Sequence, residues 1–596
     1  MSASKGDLAV SSSTSVILSE AKNLAKRGMR PFASLRVTSH FFLLLAFSIF
    51  ALVPLTAPGY FSSAHDARHS VYFLQMFDLS MRDGAWFPRW ATDMVFGYGY
   101  PLWLILAPVP FFVGEAIHLV GFDFVSAVKL VDGLAILFSA LTMYLFASRV
   151  LGKNAGLVAA MAYVYLPYHL VDLYVRAAQA ELVAYVFPPL VFWAFHELAE
   201  TKQARYISIA ALAYAGLLLT HIQSAVFFTP IIGLYLVYLF FASRPAPLAI
   251  RFALSAFSAI ALALGLAAIF MLPIALEQKY LTPEPLIGGF FSYRDHFLNV
   301  NQLLSPFWGY GYAGANGTDQ FSLQLGLIPT LLAIAALWGF AKTRGAVRAH
   351  LALFAVIAVG IVFLTLPIAR PLWDAFAGVL AYVQFPWRLL SIEVFALAFL
   401  AGAALHALLE DPRDLALVLA VVLLFVTANY SYTEPQHSDA VFNYAAQMEF
   451  EVKDRELLGD TIWMTGARPQ DSPLVAQYVS GETLQKATAL DGSAVIVPLQ
   501  HAGQSDAVRV DASAPMRVMF YTRYFPGWTA TLDGAPIEIE PSGEQGLIAT
   551  RAPVPTGSHI LKIRFEDTPP RQIGAMISIV SLLIALSLLF KYRSAG

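Results

Sequence analysis

Apolar residues along this chain gather in runs separated by short polar turns. Each run is long enough, or nearly so, to carry a helix across ~30 Å of hydrocarbon. Twelve spans follow from the pattern, at about 41–57, 124–148, 155–171, 181–199, 205–221, 224–242, 251–273, 322–341, 349–366, 389–409, 414–430 and 573–590. The stretch Pro101–Gly121 is also apolar, but Pro101, Pro108 and Pro110 interrupt it, and Glu115 and His118 lie within it. A re-entrant or surface-lying segment is predicted there rather than a crossing. In the preceding loop, Val71, Leu74, Phe77 and Met81 recur at helical spacing. That predicts an amphipathic helix lying on the membrane surface, with Trp86, Phe87, Trp90 and Trp103 as aromatic anchors. The period changes in the long polar stretch near the end. Arg517–Tyr524, Thr529–Leu532, Ile537–Ile539 and Ile560–Phe565 read as strands, and Asp533-Gly534 reads as a hairpin turn. The predicted fold class is a polytopic α-helical membrane protein with a C-terminal β-sandwich or jelly-roll-like domain outside the cytoplasm. The expected division is a disordered cytoplasmic leader at 1–40, a transmembrane domain at 41–430 with an outer loop at 58–100, a β-rich domain at 431–571, and a final helix and short tail at 572–596.

Composition agrees with this pattern. Of 596 residues, 58% are hydrophobic and only 13% charged, against about 25% charged in soluble domains; the mean hydropathy is +0.62. The near-neutral net charge of −2 points away from nucleic acid. The absence of cysteine excludes disulfides, thiolate metal sites and cysteine nucleophiles.

Charge placement sets the expected orientation. With the N-terminus in the cytoplasm beside Lys22, Lys26, Arg27, Arg30 and Arg36, the same side receives Arg149, Lys153, Lys202, Arg205, Arg244, Arg251, Lys342, Arg344, Arg348, Arg413, Lys591 and Arg593. This is the sorting expected of cytoplasmic loops, and it requires that 101–121 not cross. Both termini are then cytoplasmic and the β-rich domain lies outside. No cleavage-site pattern follows the first apolar run, so it reads as a retained helix. Met29 is a second candidate start.

Three clusters could carry chemistry on the outer side. Asp66 follows the first span, beside His65, Arg68 and His69. A carboxylate at the lipid–water boundary is placed to act as a general base on a sugar hydroxyl, or simply to cap the helix that follows. His169, Asp172, Arg176 and Glu181 share one short turn, where ionisable groups pair or serve a site; Asp172 and Arg176 are spaced to bridge each other. Gln384-Phe385-Pro386-Trp387-Arg388 sets an arginine among aromatics, as a clamp for a lipid phosphate or as an interfacial snorkelling side chain. His221 falls at a helix end, and Tyr310-Gly311-Tyr312-Ala313-Gly314 reads as a mobile aromatic loop. Asn316-Gly317-Thr318 fits a glycosylation sequon. Walker A, nucleophile-elbow, zinc-protease, kinase and D-x-D signatures are missing from the sequence. No spacing demands a metal, although the acidic groups allow a divalent one.

An acidic early outer loop, interfacial helices, a helical bundle and an outer tail domain together resemble the GT-C glycosyltransferase superfamily. The segments PRWATDMVFGYGYPLW, PYHLVDLYVRAAQAE and QFPWRLL resemble bacterial membrane proteins labelled 6-pyruvoyl-tetrahydropterin synthase-related. No pterin-synthase domain or zinc-histidine set accompanies them. The tail YFPGWTATLDGAPIEI with GSHILKIRFE resembles the outer domain of YfhO-type proteins. The GT-C resemblance implies transfer of a sugar from a polyprenyl-phosphate carrier to an envelope glycan, lipid or protein, in a bacterial inner membrane. It implies Asp66 as catalytic base, Arg176 and Arg388 on the carrier phosphate, and Glu181 orienting an arginine or the sugar. His65, His69, Asp172, His221 and Gln384 complete the expected substrate-binding set. His65 stands where a second acidic residue would pair with Asp66. The β-domain is a candidate acceptor site through Trp528 and Tyr524, or those aromatics are core. Two rival readings are a flippase for a lipid-linked intermediate and a non-catalytic envelope assembly protein.

Overall fold

The computed structural model describes residues 30–61, 63–282, 287–314, 320–408, 415–454 and 460–590. Most of the leader, the Asn316-Gly317-Thr318 sequon, Arg413, Lys591 and Arg593 lie outside the described residues. The helices are α1 (Arg30–Ser48), α2 (Ala67–Arg82), α3 (Val109–Leu119), α4 (Phe124–Leu151), α5 (Lys153–Tyr165), α6 (Pro167–Tyr174), α7 (Gln179–Ala184), α8 (Phe187–Thr201) and α9 (Arg205–Leu218). They continue with α10 (Ile222–Ala242), α11 (Ala246–Glu277), α12 (Leu327–Trp338), α13 (Gly345–Thr365), α14 (Leu390–Leu408), α15 (Leu415–Asn429), α16 (Tyr444–Asp454) and α17 (Pro569–Phe590); shorter turns of helix lie between.

Among the described residues, eight helical segments are long and apolar enough to cross a membrane: Phe124–Leu151, Gln179–Thr201, Ile222–Ala242, Ala246–Tyr280, Gly345–Thr365, Pro386–Ala407, Leu415–Thr433 and Pro569–Phe590. A ninth arises if α5 and α6, bent by 44° at Leu166, are taken as one. The other three expected spans correspond to shorter apolar helices, Ser39–Ala51, Arg205–Leu218 and Leu327–Ala341. Among the described residues, eight or nine of the twelve expected spans are thus long enough by length and composition, and the other three are shorter helices.

Local sequence explains the joints. Asp123 caps α4, its carboxylate accepting from the Ser126 N–H at 2.9 Å. Gly152 turns the chain into α5 with φ +90°. Gly156 then lets α5 press on α4, since a Cβ there would lie 2.7 Å from the Ser148 side chain. Prolines open α6, α8 and α17 within their first turns, where a missing N–H costs nothing.

The 101–121 stretch behaves as its prolines predict. It makes a short turn at Leu102–Leu104 and then α3, whose eleven residues reach only about 16 Å.

Helix α2 forms over the expected residues, but it is not a surface helix. Both its faces are covered: Val71, Tyr72, Phe73, Leu74, Met76 and Phe77 are all buried. One side meets α3 through Phe77 and Phe111, and the other meets the tail through Tyr72 and Phe442. The anchor assignment needs correction as well. Trp90 and Trp103 are fully buried. Trp90 packs edge-on to Trp528 and Trp103 edge-on to Phe77; Trp86 stays exposed.

The strands of the tail form two antiparallel sheets. Five strands run in the order β10 (Ala535–Ile537), β9 (Trp528–Leu532), β13 (Gly557–Phe565), β7 (Ser505–Ala512), β6 (Ala494–His501). Four run in the order β11 (Ile539–Ser542), β12 (Leu547–Thr550), β8 (Val518–Arg523), β5 (Ala487–Ala489). Val508, Val510, Leu561 and Ile563 of the first sheet share a core with Val518, Phe520 and Ile548 of the second, so the sheets stack as a sandwich. Asp533 and Gly534 both take positive φ, 50° and 84°, and join β9 to β10 as a two-residue hairpin.

The sandwich begins at 487, not 431. Before it come α16, a short helix at Val475–Ser480, and two tethers. In these, β1 (Tyr60–Phe61) pairs with β3 (His437–Ser438), and β2 (Leu281–Thr282) pairs with β4 (Asp460–Thr461). The first outer loop is folded into the sandwich. Asp83 accepts from the Gln504 N–H at 2.8 Å and the Ser505 hydroxyl at 2.9 Å. Gly503 lies so close to α2 that a Cβ would sit 2.5 Å from the Leu79 backbone.

Candidate functional site

Two broken helices create the site. The chain bends between α5 and α6 and leaves helix again at Val175–Ala178 before α7. Helix ends leave backbone groups without intrahelical partners, and here the first outer loop takes them. The His65 N–H donates to the Val175 carbonyl at 3.0 Å, and the Asp66 N–H to the Arg176 carbonyl at 2.8 Å. Residues more than a hundred positions apart are thus joined backbone to backbone.

Asp66 occupies the N-cap position of α2, yet its side chain accepts no hydrogen bond from that helix. The carboxylate is exposed, so the capping role open in the sequence is not the one adopted. It lies within electrostatic range of Arg176, Arg388 and His221.

Arg176 is almost wholly buried and compensated. Its Nη1 donates to Asp172, to Glu181 Oε2 at 2.7 Å and to the Tyr168 hydroxyl at 3.2 Å. Its guanidinium lies 5.0 Å over the Trp387 ring. The second Asp172 oxygen accepts from Tyr185 at 2.9 Å. The i,i+4 bridge expected from sequence is therefore one edge of a larger network.

Arg388 differs. Its Nη1 donates to Gln384 Oε1 at 2.6 Å and Gln223 Oε1 at 2.8 Å, both neutral amides. Its Nε is buried without a hydrogen-bond partner. Among the described residues no carboxylate forms an ion pair with it. Gln384 is held at φ +66°, a conformation that costs energy for a side chain bearing a Cβ and that clusters at functional sites. Phe385 and Trp387 stack on each other at 4.9 Å and flank the guanidinium.

His221 caps α10, its Nδ1 against the Ser224 hydroxyl at 2.8 Å. His65 turns to the aromatic loop: Nε2 meets the Gly311 carbonyl at 2.9 Å, and the ring stacks on Tyr312 at 4.6 Å. Burial lowers the His65 pKa from its usual value, against the opposing pull of Asp66.

The structure brings His65, Asp66, Asp172, Arg176, Glu181, His221, Gln384 and Arg388 into one region. It does not bring His69 there, whose ring packs on Phe73 and on Phe450 of α16. His169 is buried behind the cluster, stacked on Tyr185 at 4.0 Å. Gln223, Tyr168 and Tyr185 belong to the site and were not singled out from sequence. Gln223 stands two residues after His221, and only contact with the distant 384–388 segment gives it a role. Trp528 is buried core against Trp90 and Phe565, which removes it as an acceptor platform; Tyr524 packs edge-on to Trp463. Among the described residues, no three His, Asp or Glu side chains converge as metal ligands.

No family profile matches the chain. An uncharacterised protein of Lactococcus lactis subsp. cremoris (strain MG1363) is 22% identical over 264 residues, 43% of this chain and 43% of that one. Arabinofuranosyltransferase AftD from Mycobacteria aligns in structure with 73% of this chain and 31% of its own length, at 18% identity and a TM-score of 0.43. The Archaeoglobus fulgidus oligosaccharyltransferase in its apo form aligns with 73% of this chain and 60% of its own, at 11% identity and a TM-score of 0.41. The chain spans less than two thirds of the length of each of these proteins.

Proposed function

We propose that this chain is an inverting membrane glycosyltransferase that moves a sugar from a polyprenyl-phosphate carrier to an envelope acceptor at the outer face. The observation that carries the reading is the backbone junction of His65-Asp66 with Val175-Arg176. It brings an exposed carboxylate to buried cations at the broken ends of apolar helices. In this reading Asp66 takes the proton from an acceptor hydroxyl. The acceptor oxygen attacks the anomeric carbon, the bond from that carbon to the phosphate oxygen breaks, and the carrier phosphate leaves with the electron pair.

A fixed cation stabilises charge as it develops on the leaving group. Arg388 suits that role better than Arg176. Two carboxylates already satisfy Arg176, while Arg388 is held by amides and keeps an unpartnered Nε. Arg176 then serves as the charged centre of a rigid frame, with Asp172 and Glu181 fixing its geometry.

Two measurements test the reading on purified protein with a polyprenyl-phosphate sugar. Asp66→Asn is expected to lower transfer by about 10²–10⁴-fold while insertion and thermal unfolding stay unchanged; turnover at the wild-type rate removes Asp66 as the base. Arg388→Gln is expected to weaken use of the carrier by about 1.5–3 kcal/mol, the worth of a hydrogen bond to a charged group. An unaltered KM and kcat for that variant would take Arg388 away from the phosphate.

A further inference from the structure

A second cavity of about 330 Å³ lies away from the charge cluster, along α2. Its walls are Gln75, Asp78 and Arg82 of α2, His118 at the end of α3, Phe124 at the start of α4, and Phe442-Asn443-Tyr444 ahead of α16. Three structural units thus contribute: the outer loop, the membrane bundle and the tail. Asp78 lies three turns beyond Asp66 on the same helix, about 18 Å along its axis.

The cavity carries no excess positive charge: its one arginine faces the Asp78 carboxylate, and Glu115 stands beside Asp78. Arg82 Nε donates to Asp78 at 2.7 Å, which cancels both charges. His118 Nδ1 lies 2.7 Å from the Phe122 carbonyl. Donation there leaves Nε2 as an acceptor, 3.4 Å from Arg82 Nη2. Gln75 gives its amide N–H to the Phe442 carbonyl at 2.9 Å. Its Oε1 is buried without a partner, although the side chain is 8% exposed. Glu115 stands close by, 2% exposed, with Oε2 also unpartnered. Both atoms are closed to solvent, so neither faces the open part of the cavity. The apolar part of the wall is aromatic: Phe124, Phe442 and Tyr444. Leu119, Val120 and Phe122 are exposed beside the cavity, which places it at the rim of the apolar surface.

We infer that this cavity binds a neutral oligosaccharide, the distal part of the acceptor glycan, three helical turns from the transfer centre. The hydroxyls of a polyol pair with the Asp78 carboxylate and the exposed Arg82 guanidinium, and sugar C–H faces lie on the aromatic wall. With Arg82 neutralised by Asp78, the cavity offers no spare cation for an anionic ligand. The inference deepens the transferase reading and names the acceptor class.

The test uses the full-length chain in lipid nanodiscs with Asp66→Asn in the background, so that retention is measured without turnover. It is passed over a printed array of neutral hexose and pentose oligosaccharides, uronate-bearing oligosaccharides and unglycosylated peptides. Retention on neutral oligosaccharides is expected. It should fall tenfold or more with Phe442→Leu or Tyr444→Leu, at unchanged thermal unfolding. Arg82, whose side chain is 65% exposed, gives a variant that keeps the fold; Arg82→Ala should weaken retention several-fold. No retention, preference for uronates or peptides, or indifference to all three substitutions would overturn the site. Sugar transfer by the unsubstituted chain is assayed separately, so failure of the cavity and failure of the transferase reading are told apart.

Discussion

One imidazole, that of His501, bridges two carboxylates. Its Nδ1 lies 2.6 Å from Asp506 and its Nε2 2.9 Å from Asp93, joining β6 to the first outer loop. Burial pushes its pKa down, but Asp93 and Asp506 outweigh burial and raise it to about 9 from 6.5. A group whose folded pKa is raised adds stability that is complete below its unfolded value and vanishes as pH climbs through the folded one. The contribution is therefore full below about pH 6.5 and gone above about 9, and is on the order of 3 kcal/mol. The unfolding temperature of the full chain should fall between pH 7 and 10. In His501→Gln it should start lower at pH 6 and change less with pH. An identical pH profile for the two proteins would refute the bridge. His501 was invisible in the sequence because Asp93 lies 408 residues away. Asp66 and Arg388, which the structure places in one region, stand out in the sequence because a lone ionisable group beside an apolar span is expensive wherever the chain folds. His69 misled for the same reason: proximity to Asp66 in sequence says nothing of which helix face it takes.

Helices and strands were legible where local chemistry decides them. Three prolines break 101–121 into a turn and one eleven-residue helix, and Asp533-Gly534 makes a tight hairpin, each in any context. The misread elements depend on what packs against them. Apolar periodicity in α2 marks one buried face, but Tyr72 and Gln75, on what reads as the polar side, are covered by Phe442. Trp90 and Trp103 have the composition of membrane anchors, but their rings pack on protein aromatics instead, with both Nε1–H groups buried and unpartnered. Strands β6 and β7 escaped notice because Pro498 interrupts the short apolar run of β6, and alternation in β7 is confined to the few residues Val508–Ala512. The role of Trp90 as a plug from the loop into the sandwich has a measurable cost. Trp90→Ala should destabilise the tail by about 3–5 kcal/mol, seen as early loss of its β-sheet signal on heating. An unshifted transition would show that the sandwich does not depend on the loop.

At the scale of the whole molecule, the proposed orientation rests on basic residues sorted to one face and on α3 not crossing. Reporter fusions after Gly121, Gly152 and Ser431 test it, with a cytoplasmic signal expected from the Gly152 fusion alone. Cytoplasmic signals at Gly121 and Ser431 would invert the arrangement and put the proposed transfer centre on the wrong side for the proposed donor. Two short ladders hold the parts together, one of them β1 with β3, which ties Tyr60–Phe61 to His437–Ser438 only five residues ahead of Asp66. During synthesis the ribosome makes the loop long before its partner strand exists. A nascent chain that has reached residue 400 already holds Asp66, Arg176 and Arg388, yet lacks the clasp that steadies the loop. Under the proposed function, competence for transfer arrives late in translation, and a chain truncated before residue 437 is expected to insert into the bilayer but remain idle.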